Sequence, residues 1–273
     1  MSLADVKAAD TVANSAFAAP ADELQWLHVD DACIVVVKPA GLLSVPGRGA
    51  DRADCAWSRV RAVHADALIV HRLDMATSGL LLLARGASAQ RFLSVLFAQR
   101  RVHKRYVAVV HGLVDPAAGV IDLPLSADWP NRPRQQVDPL HGKPSLTRWR
   151  VLRHDEPRAV THLELEPVTG RSHQLRVHLQ AIGHTVVGDR LYAPGALPQP
   201  ATTDSNRLML HAQALTFEHP HGAQTMGFET ANPFDDGTNR PGTDLSLGIR
   251  LNRLVCGVVQ GSNAKPAPDL PIT

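Results

Sequence analysis

The apolar residues of this chain come in short bursts. ACIVVV (32–37), LLLLA (80–84) and YVAVV (106–110) are each bounded by charged residues, histidine or glycine. Runs of this length, rich in Leu and β-branched residues, suit strands and fall far short of the ~20 residues a membrane-spanning helix needs. Strands are expected at 33–37, 68–70, 80–84, 106–110, 120–123, 146–152, 160–165 and 208–217. Two stretches carry helical spacing instead. SAQRFLSVLFAQRR sets Phe92, Val95, Leu96 and Gln99 on a common path, with Ser88 as N-cap. SHQLRVHLQAIG places Leu175, Leu179 and Ile182 on one face, with Ser172 as cap and Gly183 as stop. Many strands, few helices and no regular βαβ alternation predict an α+β fold: a mixed, mostly antiparallel central sheet flanked by helices and loops.

The formal net charge of +2 over 273 residues does not by itself announce a nucleic-acid binder, so any such role depends on where the cations cluster. Cys33, Cys55 and Cys256 are far apart, odd in number and in no CxxC spacing; they support neither a disulfide framework nor a zinc site and suit a reducing compartment. The first 22 residues, Ala-rich and without a continuous apolar core, read as a tail and not as a secretory signal. Residues 236–273, rich in Gly, Pro, Asn and Asp, read as an irregular tail. One domain over 23–235 and a cytoplasmic location are expected.

Three stretches carry chemistry. In VHRLDMATSGL, Arg72 and Asp74 share one side of the chain as it leaves a strand, as a rim ion pair or as a carboxylate at a cavity edge over the small Thr77-Ser78-Gly79 turn. In TGRSHQLRVHLQAIGHTVVGD, Arg176 lies beside the apolar stripe and can pair with that carboxylate; exposed Arg171 and Arg176 with buried stems are the ordinary alternative. His173, His178 and His184 lack the spacing and companions of a zinc site. In QRRVHKRYVAVV, Arg100, Arg101, Lys104 and Arg105 crowd against Tyr106, and Arg132 and Arg134 lie near Trp129. Cations beside an aromatic ring suit single-stranded nucleic acid, whose backbone the cations hold while the ring stacks on a base.

Taken together, HRLDMATSGL, KRY, TGRSHQLRVHLQAIGHTVVGDRLY, KPAGLLSVPGR and LMLHAQALTFEHP resemble, in order and over residues 24–234, the RluA-type family of RNA pseudouridine synthases. The resemblance implies that fold, and an isomerase that detaches uracil from a uridine and reattaches it through C5. It implies that Asp74 is the catalytic aspartate, that Arg176 pairs with it and keeps it ionised, and that Tyr106 stacks on the base. Arg72 would fill the space a flipped nucleotide vacates, and His71 would hold the loop. Thr77, Ser78 and Gly79 would line the base pocket, with Leu175 beside it. Arg100, Arg101, Lys104, Arg105, Arg132 and Arg134 would hold RNA. Whether Asp74 bonds to the substrate or removes a ribose proton to give a glycal stays open. No cofactor or metal is implied for the reaction. DLPLSADWPNRPRQQVDPLHGKPS is similar to the RluA subgroup, whose substrates are stem-loops of tRNA (the anticodon arm) and 23S rRNA. A preceding S4-like domain is not expected in 22 residues, nor is a protein partner, so a monomer is expected. The competing reading is a catalytically silent RNA-binding protein of the same fold.

Overall fold

The computed structural model describes residues 23–47, 49, 52–193, 207–222 and 224–235. The tails expected at 1–22 and 236–273, and Cys256, lie outside the described residues.

Ten strands form one sheet. Eight follow in the order β1 (Gln25–Val29), β2 (Cys33–Lys38), β4 (Ser78–Arg85), β11 (Leu210–Glu218), β5 (His103–His111), β10 (Val160–Pro167), β9 (Leu146–Asp155) and β6 (Ala118–Asp122). β3 (Ala67–Ile69) pairs with β4, and β12 (Thr225–Glu229) with β11. β7 (Leu125–Ala127) and β8 (Gln135–Val137) make a separate antiparallel ribbon. Among the described residues, β4 and β11 are the one parallel pair, so the mixed, mostly antiparallel sheet expected from sequence is what forms. No helix among the described residues is long and apolar enough to cross a membrane.

The LLLL run is unbroken because β4 is covered on both faces, which removes the usual apolar/polar alternation. Leu80, Leu82 and Ala84 face α2 (Gly86–Ala98), meeting Leu93 and Leu96. Leu81 and Leu83 face the opposite way, against Ala56 and Val60 of α1 (Ala56–Val63). α3 (Gln174–Ala181) lies against β5 and β10 through Leu175 and Leu179.

The eight expected strands are present, several of them longer than expected. β1, β7, β8, β12 and α1 were not expected: the ribbon strands are three residues each, and α1 (AWSRVRAV) has little apolar periodicity and a cysteine cap, Cys55, in a reciprocal box with Ser58. Both expected serine caps are corrected. α2 starts two residues before Ser88, after Arg85, whose guanidinium is tied to Asp66 and to the Asp30 carbonyl. α3 starts after His173, held at φ +53°, because the Ser172 hydroxyl is taken by Arg72 while the Gln174 amide accepts from Thr169 and the Arg171 N–H. Gly183 ends that helix turn at φ +87°.

Candidate active site

A cavity of about 440 Å³ opens between the 70–77 loop, the end of α2, β5 and the start of α3, in the size range of small-ligand sites. Asp74 enters it from the loop. The Thr77 N–H donates to the Asp74 carbonyl at 3.1 Å, closing a tight turn under the carboxylate. His71 ties this loop down: its Nε2 accepts the Leu82 N–H of β4 at 2.9 Å and its ring stacks on Phe97 at 4.6 Å. Burial, with the nearby Lys104 charge, lowers its pKa to about 3, so the neutral ring can keep accepting. From β2, fully buried Lys38 reaches under the same loop and donates to the carbonyls of Pro39, Leu42 and Met75 at 2.8, 2.7 and 3.1 Å.

Arg176 is not an exposed helix arginine. It is 5% exposed, and its Nη1 lies 3.7 Å from Asp74 Oδ2. Its other edge is gripped by Asp189, Nε to Oδ2 at 2.6 Å and Nη2 to Oδ1 at 2.7 Å, a bidentate fork that fixes the plane of the guanidinium. Asp189 is itself held by the backbone N–H groups of Leu191 and Tyr192, and the Tyr192 ring packs 4.9 Å from the Arg176 guanidinium carbon. Burial works to lower the Arg176 pKa, but the hydrogen bonds and charge of Asp189, with the charge of Asp74, outweigh it and raise it. The ion pair recorded for Asp74 is with Arg176; Arg72 instead donates to Ser172 Oγ at 3.1 Å across the cavity mouth.

Tyr106 and Lys104 project from the same side of β5 into the cavity, as a period of two requires. Burial, then the Asp74 charge, raises the Tyr106 pKa, which leaves a neutral ring. Lys104 donates to the Thr169 carbonyl at 3.3 Å, and burial lowers its pKa to about 8 against the pull of Glu166. Arg100, at φ +60°, is exposed at the cavity. The lining thus sets Arg72, Arg100, Lys104, Arg171 and Arg176 against Asp74 alone, which is how a chain of net charge +2 builds a basic pocket. Leu175 lines it as well.

Several residues expected there are elsewhere. Arg105 lies on the other side of the β5 alternation and Arg101 precedes the strand; both are neutralised by acidic partners, Arg101 by Glu218 and Arg105 by Glu229 and by Glu164 at 3.7 Å. Of the Thr77–Gly79 turn only Thr77 lines the cavity. Ser78 and Gly79 already belong to β4 and fasten it to β11: Ser78 Oγ bonds His211 Nδ1 at 2.8 Å and accepts from Arg207, while a Cβ at Gly79, where φ is +115°, would lie 2.2 Å from the Ala212 carbonyl oxygen. Arg132 packs over Trp129 at 3.6 Å and Arg134 near Tyr192 at 5.4 Å, neither in the cavity wall. The three histidines around α3 are each engaged separately: His173 with Tyr192 OH, His178 with Thr147 Oγ and the Leu123 carbonyl, His184 with the His111 carbonyl. Asp189 and Lys38 were not singled out by sequence, although each lies in a stretch quoted for the resemblance, Asp189 at the GDRLY end of one and Lys38 as the first residue of KPAGLLSVPGR.

Residues 32–181 match the family model described as RNA pseudouridylate synthase. The chain is 50% identical over 201 residues, 71% of its length and 79% of the relative's, to the "Dual-specificity RNA pseudouridine synthase RluA" of Vibrio vulnificus. It is 45% identical over 208 residues, 76% of its length and 93% of the relative's, to the protein of the same name from Escherichia coli K12. Among solved structures, "Human RNA Pseudouridylate Synthase Domain Containing 1" superposes with a TM-score of 0.65 at 28% identity, covering 81% of this chain and 89% of the human one.

Proposed function

Because this chain belongs to the RNA pseudouridylate synthase family and is an RNA pseudouridine synthase, an isomerase, we propose that it acts on one uridine in a stem-loop of tRNA (the anticodon arm), of 23S rRNA, or of both, and that Asp74 carries the reaction. The observation that supports this assignment is the Asp74–Arg176 pair, 3.7 Å apart at the floor of a basic cavity with Tyr106 beside it.

The reaction breaks the N1–C1′ bond, turns the uracil and makes a C5–C1′ bond; C5 gives up its proton and N1 gains one, so atoms balance without a co-reactant. The target base must first leave its stack, at a cost of a few kcal/mol. Tyr106 offsets part of that cost by stacking, about 1–3 kcal/mol per base, and Arg72 at the mouth enters the vacated space. Arg100 and Lys104 hold phosphate. Asp74 acts at the ribose or the base, as the nucleophile or as the base that yields a glycal. Residues 23–235 form the catalytic domain, working as a monomer in the cytoplasm.

Purified wild type and Asp74→Asn are incubated with unmodified tRNA and 23S rRNA transcripts, and pseudouridine is mapped by carbodiimide-blocked primer extension. One modified loop uridine, absent with the variant, is expected, and the transcript carrying it identifies the substrate. Bound but unmodified RNA with the wild type would instead favour a different RNA target or a silent RNA-binding protein.

A further inference from the structure

His173, the residue before α3, occupies the N-cap position without capping. Its backbone is held at φ +53° and its side chain makes no bond to the N–H groups of the helix. A residue other than glycine is uncommon in the left-handed region, and such strain gathers at ligand sites. The ring instead forms part of the cavity wall. Its Nδ1 lies 2.8 Å from the hydroxyl of Tyr192, which is behind that wall. Its Nε2 has no partner among the described residues and is not sealed from solvent, so it opens on the cavity.

The partners of Tyr192 fix which ring nitrogen carries the proton. The hydroxyl accepts the Gln135 N–H of β8 at 2.8 Å. Tyr192 is 2% exposed, and the other partner of its hydroxyl among the described residues is His173 Nδ1. A hydroxyl has one proton to give, and leaving it unmet in the interior costs about 1–3 kcal/mol. Tyr192 therefore donates to Nδ1. Burial raises the Tyr192 pKa to about 12, so the phenol keeps that proton. Burial also lowers the His173 pKa against the pull of Asp74, which favours the neutral ring. A neutral imidazole that accepts at Nδ1 carries its proton on Nε2. The result is one N–H facing the cavity, held there by a residue outside it.

We propose that His173 Nε2–H donates to a carbonyl oxygen of the target uracil, a reading that rests on the stem-loop uridine taken above as the substrate. Detaching uracil from C1′ leaves negative charge over N1 and, by conjugation, over the two carbonyl oxygens. A fixed donor to one of them binds more strongly as that charge grows, so it lowers the barrier more than it tightens binding. The charged groups that act on His173 are Asp74, Arg176, Asp189 and Arg72, which sets it beside the groups proposed to react. A neutral donor suits this place. A cation would compete with Arg176 for Asp74, whereas the imidazole leaves that pair intact and keeps its own proton throughout.

The test remakes the stem-loop carrying the mapped uridine with 2-thiouridine or 4-thiouridine at that position, because sulfur accepts hydrogen bonds more weakly than oxygen. In single turnovers the wild type is expected to slow about tenfold with one of the two, the worth of one hydrogen bond. His173→Phe is expected to be about 10²-fold slower on uridine, as for loss of one oxyanion donor, and to show no sulfur effect. His173→Gln, whose amide reaches the Nε2 position, regains part of both. An equal sulfur effect in wild type and His173→Phe with both analogues overturns the proposal. If the wild type modifies neither transcript, it is the substrate reading that fails, and the donor is decided in the free full-length protein labelled with 15N-histidine. There the His173 ring, identified by its absence from the His173→Gln spectrum, is expected as the Nε2–H tautomer at neutral pH, a preference lost in Tyr192→Phe. The Nδ1–H tautomer in the wild type overturns the proposal.

Discussion

Asp189 holds two of the three nitrogens of Arg176, Nε and Nη2, at 2.6 and 2.7 Å, so that the remaining one, Nη1, is the one facing Asp74. The distance between Arg176 and the proposed catalytic carboxylate is therefore set by a residue that does not line the cavity. Asp189→Asn keeps the shape but weakens the fork. It is expected to lower kcat by up to ~10²-fold, the cost of misplacement by about an ångström, with RNA affinity nearly unchanged. Asp189→Ala leaves Arg176 buried with half its partners gone and is expected to cost about 3–5 kcal/mol of stability. Single-turnover kinetics, RNA binding and urea melts separate the two effects. An equal fall in affinity and kcat would make Asp189 part of the RNA surface instead.

Lys104 and Arg101 should part company in RNA binding. Each phosphate contact contributes ~0.7–0.9 to the slope of log affinity against log salt. Lys104→Gln is expected to reduce that slope by about one contact. Arg101→Gln should change it little, because Glu218 already neutralises Arg101. Filter binding at several salt concentrations measures both slopes.

The same lysine makes a pH prediction. Its pKa in the folded protein is lowered to about 8, so it is cationic below that pH and neutral above it. RNA affinity should be held up to near neutrality and fall as pH rises through about 8. Lys104→Arg, which stays charged, is expected to flatten that fall. A wild-type affinity constant from pH 7 to pH 9 would remove Lys104 from the phosphate contacts.

Gly79→Ala is expected to destabilise by about 3 kcal/mol or more, through both its backbone angle and the 2.2 Å approach to Ala212. A urea melt beside Ser78→Ala checks it. A loss under about 1 kcal/mol would show that β4 and β11 can separate to admit a methyl group.

The HRLD stretch and the LLLL run could be read because neighbouring residues carry them: a local charge pattern and a local burial pattern. What sequence could not show lies in pairings across long distances. Nothing near Arg101 and Arg105 announces that Glu218 and Glu229, 117 and 124 residues on, will neutralise them. The Ser172 cap failed for a similar reason. Its local signal was correct in type, but Arg72, 100 residues before it, takes that hydroxyl. The Ser78-Gly79 pair was assigned to a pocket because small residues permit close approach. What approaches is the backbone of β11.

β11 follows nearly all of the other strands in sequence yet lies between β4 and β5. Asp74 precedes β4, whereas Tyr106 is on β5 and Arg176 on α3 against the β5–β10 side. A nascent chain that has emerged only as far as α3 already contains all three residues, but not the strand that joins their two half-sheets. The late, long-range closure this requires is slow in kinetic terms. The cavity is thus completed by one of the last strands made, so a ribosome-bound fragment lacking β11 would carry every residue proposed for the reaction and still be inactive.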